Sequence, residues 1–442
     1  MLLAFTLENY RSFAAESSLD LMKRSFRRNV PTDGDWAAVT ERVVGIYGAN
    51  ASGKSTVLLP LSLLQRAIAL SLRDPSTTQE LYSPHALHRG KPTAFTVEYI
   101  EEGTRYRWRL RLDTEGVAAE TLEANHTGHF RLIFQRDEGD IHFGPQAGIP
   151  RAVQENIAQF LTPWALTFSA WLTARSKGPY IGAVTWWEER LTSLGVLNSR
   201  EETHYTFMRM LKYPAWLGAS SAIIKAADTG VNSVRVDTQT LPPEIAQRVH
   251  ALNLALNGES PAGEIAVEDQ EEKELIAQRL MFTHGSGDDS FELSEGEESH
   301  GTRAWFDLAI QSIYTLATGG VLSVDEIDES LHPLLLSNLI QLFSRSETNQ
   351  SGAQLIFTSH DTTVLGNDAE SGILPSGIWL TEKNHGSSEL IALDEFPYSA
   401  KHNIERRYLR GVYGAVPTPW QDLSQEVARL RSEYQQFRKA RR

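Results

Sequence analysis

Residues 48–55, with the sequence GANASGKS, match the spacing GxxxxGK[S/T] of a phosphate-binding loop. A β-branched run, Arg42 to Tyr47, precedes the loop, and an apolar stretch, Val57 to Leu72, follows it. A strand, a glycine-rich loop and a helix in this order direct backbone N–H groups and a helix N-terminus at a polyphosphate. We therefore predict an ATP site. Its predicted binding residues in the loop are Gly48, Asn50, Ser52, Gly53, Lys54, Ser55 and Thr56.

Charged and hydroxyl side chains at two places predict the chemistry of this site. Lys54 is predicted to contact the β- and γ-phosphates, and the Ser55 hydroxyl is predicted to hold Mg²⁺. Downstream, an apolar run at 320–324 ends in Asp325 and Glu326. A carboxylate at the end of a strand beside a phosphate-binding loop can bind the magnesium shell, which predicts Asp325 as a metal ligand and Glu326 as the base that polarises water. Such acid pairs also occur as helix N-caps, but the loop in the same chain favours the catalytic interpretation.

Two further sequence segments contain residue types that could take part in ATP hydrolysis. Ser299 and Gly301 lie just before an apolar stretch at 304–316, so we expect them at a helix N-terminus, which attracts anions. Residues 355–360 read as an apolar strand that ends in His360. A single histidine at a strand end is more often structural than catalytic. Spacing alone leaves both interpretations of His360 open.

Taken together, these motifs resemble the ABC-type ATPases of the RecF/SMC group. The matching strings are GANASGKS at 48–55, SHG at 299–301, DE at 325–326, SLHP at 330–333 and TSH at 358–360. Within that group, the sequences of residues 298–302, 325–333 and 354–361 resemble most the AbiLi-like, RloA-like branch, which is found in bacterial anti-phage systems. Residues 7–13 and 408–417 also resemble that branch, and the similarity is weak from about 145 to 220.

The resemblance implies that Ser299 and Gly301 are the signature that closes over the γ-phosphate of ATP held by another subunit. A second register is open, because LSEGE at 293–297, with Ser294, also resembles the signature of the group. We prefer Ser299 because it directly precedes the apolar stretch that we expect to form the helix.

The same resemblance implies that His360 is a switch histidine, which contacts the γ-phosphate and positions the attacking water. It also implies that Arg11, which follows the first strand, lies near the nucleotide. The group has a further glutamine near the nucleotide, which the sequence does not place; Gln135 is one candidate.

Motif spacing limits the architecture. About 245 residues separate the phosphate-binding loop from Ser299, which is more than a transporter nucleotide domain uses and less than the long arms of SMC proteins require. The resemblance therefore implies an α/β fold: an ABC-type P-loop ATPase head assembled from N- and C-terminal lobes, with an antiparallel β subregion and a helical insertion. The predicted divisions are an N-terminal lobe at 1–148, a helical insertion at 149–290, a C-terminal lobe at 291–395 and a basic extension at 396–442.

Local patterns predict the elements between the motifs. Residues 94–100 and 105–112 alternate as two strands joined by a hairpin turn. Residues 150–228 are helical in pattern and rich in tryptophan, and residues 242–256 predict one further helix. Glycine, serine and aspartate at 283–290 predict a break, after which the order of strands and helices becomes typical of a parallel sheet.

Composition excludes several classes of protein. The chain has 442 residues, of which 41% are hydrophobic and 22% charged, as in folded globular proteins. No apolar run is long enough for a membrane span. The absence of cysteine excludes disulfides, thiol nucleophiles and cysteine-bound zinc. We expect a cytoplasmic protein with no membrane association.

Net charge is −14, so nucleic-acid binding would need a local basic patch. Residues 401–442 are a candidate, because they carry ten Lys and Arg against four acids. Such a segment is either a solvated helix or protein-docking surface, or a nucleic-acid contact.

The leading functional hypothesis is an ATPase whose nucleotide state drives assembly and whose output is delivered by a partner. The resemblance implies a homo-oligomer, at least a head-to-tail dimer and up to a hexamer. It also implies a TOPRIM nuclease as effector and a phage-encoded trigger protein, as in PARIS-type systems. Two alternatives remain: a RecF-like repair ATPase that binds duplex DNA across an ATP-bound dimer, and a scaffold that binds ATP without turnover.

Overall fold

The computed structural model describes residues 1–24, 31, 34–126, 128–174, 178–195, 210, 213–227, 230–240, 276–329, 331–366, 372–397, 399, 402–416 and 423–440. Within these residues the strands are β1 Leu2–Glu8, β2 Ser17–Asp20, β3 Val43–Gly48, β4 Thr93–Glu101, β5 Thr104–Leu112, β6 Val117–Asn125, β7 Arg131–Asp137, β8 Asp140–Phe143, β9 Leu191–Leu194, β10 Val231–Thr240, β11 Ile276–His284, β12 Phe291–Ser294, β13 Val321–Val324, β14 Gln354–Thr358, β15 Ile378–Asn384 and β16 Ser387–Ala392. The α-helices in the same residues are α1 Trp36–Val39, α2 Lys54–Leu70, α3 Ser76–Gln79, α4 Arg151–Phe160, α5 Thr167–Thr173, α6 Gly182–Glu189, α7 Pro214–Ala226, α8 His300–Thr318, α9 Pro333–Ser344, α10 Ile404–Leu409 and α11 Ser424–Ala440.

A six-stranded sheet carries the phosphate-binding loop. Its strand order is β16-β15-β3-β14-β13-β9, and every neighbouring pair is parallel except β15 with β16. All residues of β3, β13 and β14 are buried, as expected for parallel strands covered on both faces. Parallel strands end at a common edge, so β3, β13 and β14 bring residues 48–55, 325–326 and 358–360 to one place.

A second sheet of seven strands is antiparallel, in the order β2-β1-β4-β5-β6-β7-β8. β4 and β5 form the predicted hairpin, and Glu102 and Gly103 turn the chain with φ of 48° and 74°. Positive φ at both turn residues matches the right-handed twist of the flanking strands. The predicted antiparallel subregion is confirmed.

Helix α2 lies between these two sheets. Its apolar side chains belong to one core that includes Ile356 of the parallel sheet and Trp108 of the antiparallel sheet. A helix buried on most sides needs apolar residues on most sides, which explains the long apolar run after the loop. Gln65 donates hydrogen bonds to the carbonyls of Trp187 (2.6 Å) and Leu191 (2.8 Å), so its amide is satisfied.

The opposite face of the parallel sheet is covered by a second core. It contains Leu322 and Leu355 of the sheet, Phe306 of α8, Leu336 of α9 and Phe282 of β11. With helices on a parallel sheet and a separate antiparallel sheet, the predicted mixed α/β class is confirmed.

Residues 149–290, predicted as a helical insertion, are helical only in part. They contain α4 to α7, but β9 pairs in parallel with β13 and belongs to the six-stranded sheet. β10, β11 and β12 form an antiparallel sheet, and residue 290, where the predicted boundary lies, is in the turn between β11 and β12. A four-residue strand such as β9 is too short to show a periodicity in the sequence. Its strand conformation depends on hydrogen bonds to its neighbour β13. The helix predicted at 242–256 lies outside the described residues.

The described residues of the basic extension predicted from residue 396 include the segment 402–416 and helix α11. Residues 402–416 pack on the second core, because Tyr408 and Tyr413 are buried and the Tyr408 hydroxyl donates to the Ala415 carbonyl (3.0 Å). Buried aromatic residues thus attach to the second core a segment that charge alone had placed in the basic extension. Across the described part of the chain, no helix combines the length and the hydrophobicity needed to span a membrane.

Candidate functional site

The phosphate-binding loop joins β3 to α2 through residues with left-handed backbone. Ala51 has φ of 61° and Gly53 has φ of 112°. When left-handed and right-handed residues alternate, their backbone N–H groups form a concave nest that binds anions. Glycine adopts the left-handed conformation without strain. Gly48 is needed for a different reason, because a Cβ there would lie 2.4 Å from the Thr381 hydroxyl oxygen. Both glycines of the motif are thus required by the shape of the loop.

Lys54 is the first residue of α2, and its side chain folds over the loop. Its Nζ donates to the carbonyls of Gly48 (3.0 Å) and Ala49 (3.2 Å) and lies 3.5 Å from His360 Nδ1. Burial lowers the pKa of Lys54, and nearby carboxylates, of which Glu326 has the largest effect, partly oppose that shift. A buried ammonium group at this position is suited to bind phosphate.

A cavity of about 450 Å³ lies over the loop. The residues around it are Arg11, Ser12, Asn50, Ala51, Gly53, Lys54, Ser55, Thr56, Glu326 and His360. The structure thus brings Arg11, most of the loop and both predicted catalytic residues together. Gly48, Ser52 and Asp325 do not border the cavity. Ser52 instead supports the loop from behind, with its hydroxyl 2.5 Å from that of Thr381.

Arg11 and Ser12 reach the cavity from a tight turn after β1. The Arg11 backbone has φ of 48° and donates to the Ser83 carbonyl (2.6 Å), and the Ser12 carbonyl accepts from the Ser388 amide (2.7 Å). The Ser12 hydroxyl is buried without a hydrogen-bond partner among the described residues. Because buried polar groups are normally paired, this hydroxyl fits a phosphate oxygen. Sequence reasoning missed Ser12, although its neighbour Arg11 pointed to this turn.

Asp325 and Glu326 are linked to the adjacent strand by Thr358. The Thr358 hydroxyl donates to the Asp325 carboxylate (2.6 Å) and accepts from the Glu326 backbone amide (2.7 Å). Glu326 has φ of 51°, which is unfavourable for a residue with a side chain. Thr358 therefore holds both acids in place. Mg²⁺ is usually held by one or two carboxylates with substrate phosphates and water, so the carboxylate of Asp325 and the hydroxyl of Ser55 fit this ion.

His360 and Glu326 are neighbours at the edge of the parallel sheet. The distance between His360 Nε2 and Glu326 Oε1 is 3.9 Å, and the side chains are 42% and 51% exposed. The His360 backbone amide donates to both oxygens of Asp328, at 3.1 and 3.3 Å. Asp328 is thus a positioning residue that sequence reasoning did not identify, since the parallel pairing of β13 with β14 creates the contact.

Replacing Thr358 with valine should lower the turnover number for ATP by roughly 10- to 100-fold, the usual effect of losing a residue that orients a metal ligand. Valine fills the same space but cannot bond Asp325 or Glu326. The Mg²⁺ concentration needed for half-maximal activity should rise as well. Steady-state ATPase assays with a Mg²⁺ titration measure both effects. Thr358→Ser keeps the hydroxyl and should stay close to wild type; equal activity of the two variants would contradict this role.

The signature candidates occupy different elements. Ser299 caps α8, and its hydroxyl oxygen accepts from the Thr302 amide (3.1 Å), with Gly301 in the first turn. Ser294 ends β12 and bonds the Glu297 carboxylate through both its amide and its hydroxyl. Of these two serines, Ser299 is the one at a helix N-terminus. Neither Ser299 nor Gly301 borders the cavity over the phosphate-binding loop of its own chain.

Gln135 does not lie at the site. It is exposed on β7 of the antiparallel sheet, where its amide donates to Asp137 (2.6 Å). The string at 330–333 is described except for Ser330, and within it His332 caps α9 by accepting from the Leu334 amide (3.2 Å).

Comparison with known families defines the class of protein. Residues 43–154 and 217–366, more than half of the chain, match the family AAA_21, described as "AAA domain, putative AbiEii toxin, Type IV TA system". The chain belongs to this family. The matched ranges include the phosphate-binding loop, Ser299, Asp325, Glu326 and His360. Family membership confirms the prediction at the level of a P-loop ATPase, and the narrower AbiLi-like, RloA-like resemblance stays a prediction.

Solved structures of SMC head domains are similar to the chain at low identity. They include the SMC head domain from Thermotoga maritima, with 12% identity, a TM-score of 0.41 and coverage of 88% of this chain and 98% of that chain. An SMC head bound to the C-winged helix domain of ScpA has 13% identity, a TM-score of 0.43 and coverage of 88% and 96%. An SMC head with an extended coiled coil, bound to the C-terminal domain of ScpA derived from Pyrococcus furiosus, has 12% identity, a TM-score of 0.41 and coverage of 93% and 99%. No curated protein matches the chain.

Proposed function

We propose that this protein hydrolyses ATP and that its nucleotide-bound oligomer controls a partner effector in bacterial defence against phages. The observation that carries the proposal is the cavity in which Lys54, Glu326 and His360 meet. Phosphoryl transfer to water uses a cation that binds the phosphates, a carboxylate that accepts a proton from the water, and a neighbouring group such as histidine that orients the water. The family description, which names a toxin–antitoxin system, supports the defence role.

In the proposed reaction the substrate ATP is cleaved to ADP and phosphate. Lys54 and the backbone N–H groups of the loop bind the β- and γ-phosphates, and the Ser12 hydroxyl donates to a phosphate oxygen. Glu326 accepts a proton from the attacking water, and His360 orients that water against the γ-phosphate. Mg²⁺, held by Ser55 and Asp325, neutralises charge on the phosphates.

A second subunit completes this site. Ser299 and Gly301 do not border the cavity of their own chain, and the N-terminus of α8 is a favourable place for a phosphate. The signature of one subunit therefore covers the γ-phosphate bound by another. Because each subunit both gives and receives a signature, the smallest active assembly is a head-to-tail dimer, and larger rings up to a hexamer keep the same contact.

Ser299→Arg and Lys54→Ala subunits should each be inactive alone but regain part of the ATPase activity when mixed. A mixed pair has one site with an intact loop and an intact signature, so up to about half of the wild-type activity per such pair is expected. The measurement is ATP hydrolysis at fixed total protein while the ratio of the two variants changes. A mixture as inactive as its components would mean that the site is complete within one chain.

The effector and trigger belong to the same proposal. A TOPRIM nuclease is the proposed effector, and a phage-encoded protein is the proposed trigger. Arg406 and Arg410 are exposed on the short segment that packs on the second core, and the predicted helical insertion, with helices α4 to α7, is the other candidate contact surface. On a chain with net charge −14, these arginines form a local basic surface for an acidic partner.

Duplex DNA should bind the ATPase alone only weakly at physiological salt, because few phosphate contacts can offset the net charge of −14. A RecF-like loader would instead bind duplex tightly when ATP is present, with a steep dependence on salt. Duplex affinity with and without ATP at two salt concentrations separates the two functions. Tight ATP-dependent binding that survives moderate salt would replace the defence proposal with the repair alternative.

A further inference from the structure

Helix α11, at the C-terminal end of the described residues, exposes several large apolar side chains. Every described side chain from residue 423 to residue 437 is exposed. This includes Val427 at 61%, Leu430 at 60% and Tyr434 at 61% exposure. Large apolar side chains on one helix, exposed together, mark an interaction site more often than a solvated surface.

Most of the stability of helices in proteins comes from packing of an apolar face rather than from the helix alone. α11 spans Ser424–Ala440, and its within-helix ion pairs are exposed, at 3.9 Å between Arg429 and Glu426 and 3.2 Å between Arg429 and Glu433. Exposed pairs of this kind contribute little. The exposed side chains of Val427, Leu430 and Tyr434 are therefore available to pack against a partner surface.

The spacing of the apolar residues indicates what kind of surface this is. Leu423, Val427, Leu430, Tyr434 and Phe437 are separated by four, three, four and three residues. This is the heptad spacing of a coiled-coil seam, with Val427 and Tyr434 at a positions and the other three at d positions. A β-branched residue at a with leucine at d, as in Val427 and Leu430, favours two parallel strands.

Charges beside the seam select the partner. Glu426 occupies a g position and Arg431 the e position five residues later, and the sequence repeats this spacing at Glu433 and Arg438. In a parallel pair, each g residue faces the e residue five positions on in the other helix, so glutamate meets arginine on both sides. In an antiparallel pair, g faces g and e faces e, so like charges would meet.

We propose that α11 forms a parallel two-stranded coiled coil with α11 of a second copy of this chain. Its charge pattern is complementary to itself, which is why the occupant is the same helix. The pair has a two-fold axis along its length, as an isologous dimer requires. Because the seam lies outside the nucleotide cavity, this dimer forms without ATP and does not depend on the proposed ATPase cycle.

Disulfide trapping tests the pairing directly, because the chain has no cysteine of its own. Val427→Cys places a thiol in the seam, and in the parallel dimer the two thiols lie opposite each other, within the roughly 7 Å between Cα atoms that a disulfide allows. Ser432→Cys, at the outward f position of the same helix, is the matched control. Full-length, nucleotide-free protein is oxidised and examined by non-reducing electrophoresis.

The expected result is a covalent dimer for Val427→Cys, at least tenfold more abundant than for Ser432→Cys, and unchanged when Lys54→Ala is added. An antiparallel pair that packs position 427 against Phe437 and Leu430 against Tyr434 would separate the two thiols at 427 by ten residues, about 15 Å along the helix axis. No covalent dimer, or equal amounts from both variants, would therefore overturn the proposal. If the covalent dimer also forms in the Lys54→Ala background, the test of the coiled coil does not depend on the test of the proposed ATPase function.

Charge exchange tests the selectivity in the full chain. Glu426→Arg with Glu433→Arg gives a helix with basic flanks, and Arg431→Glu with Arg438→Glu gives one with acidic flanks. Sedimentation of nucleotide-free protein should show each variant as a monomer and the mixture as a heterodimer. Wild-type self-association that survives in both variants would contradict the proposed pairing.

Discussion

ATP binding should be lost when Lys54 is replaced with alanine. The Lys54 ammonium group is buried under the phosphate site, where it donates two hydrogen bonds to the loop and lies beside His360. Hydrogen bonds that involve a charged group contribute about 1.5–3 kcal/mol each, so the loss of two phosphate contacts lowers affinity by roughly 10²- to 10⁴-fold. Isothermal titration calorimetry with ATP and Mg²⁺ measures this change.

The fold of the Lys54→Ala variant should remain intact, because burial of this charge is itself unfavourable and lowers its pKa. Thermal unfolding checks that expectation. Arg66→Ala is a matched control, since it removes a positive charge from the same helix, where Arg66 pairs with Glu80 at 3.2 Å away from the cavity. Wild-type ATP affinity in the Lys54 variant would refute the assignment of the phosphate site.

ATP turnover should nearly stop when Glu326 is replaced with glutamine, while ATP remains bound. Glutamine has the same shape and leaves Asp325 and its bond from Thr358 in place, but it cannot accept a proton from water. General-base contributions are typically 10²- to 10⁴-fold, so the turnover number should fall by about that factor. Single-turnover hydrolysis combined with nucleotide retention on the purified protein separates the chemical step from binding.

Glu329→Gln provides the control for this experiment. Glu329 lies in the same segment after β13 but borders a different cavity, of about 370 Å³, rather than the one over the phosphate-binding loop. Its neutralisation should leave turnover close to wild type. A Glu326→Gln variant that still hydrolyses ATP at the wild-type rate would mean that another group activates the water.

Prediction from the sequence succeeded where neighbouring residues define the element. The phosphate-binding loop lies between β3 and α2 as its motif requires, and the strand pattern at 94–112 forms the expected hairpin. Ser299 was predicted at a helix start from the apolar stretch after it, and it caps α8. Each of these features depends on hydrogen bonds or periodicity within about 20 residues, which a single segment contains.

Prediction failed where pairing between distant segments defines the element. β9 was assigned to a helical region, although it is the edge strand of the six-stranded sheet, beside β13. Residues 402–416 were assigned to a basic tail, although two buried tyrosines attach them to the second core. Burial depends on what covers a residue, and composition contains no information about the covering segment.

The sequence by itself determined the chemical types at the site: the loop glycines, Lys54, the Asp325-Glu326 pair and His360. These could be recognised because their spacing is set by the strand, loop or strand end on which they lie. Only the tertiary structure decided that the turn at Arg11 and Ser12 completes the cavity wall, and that Thr358 and Asp328 hold the backbone of Glu326 and His360 in place. The physical reason is that β3, β13 and β14 are neighbours through hydrogen bonds between strands, and such pairing brings residues more than 270 positions apart in the sequence into contact at one sheet edge.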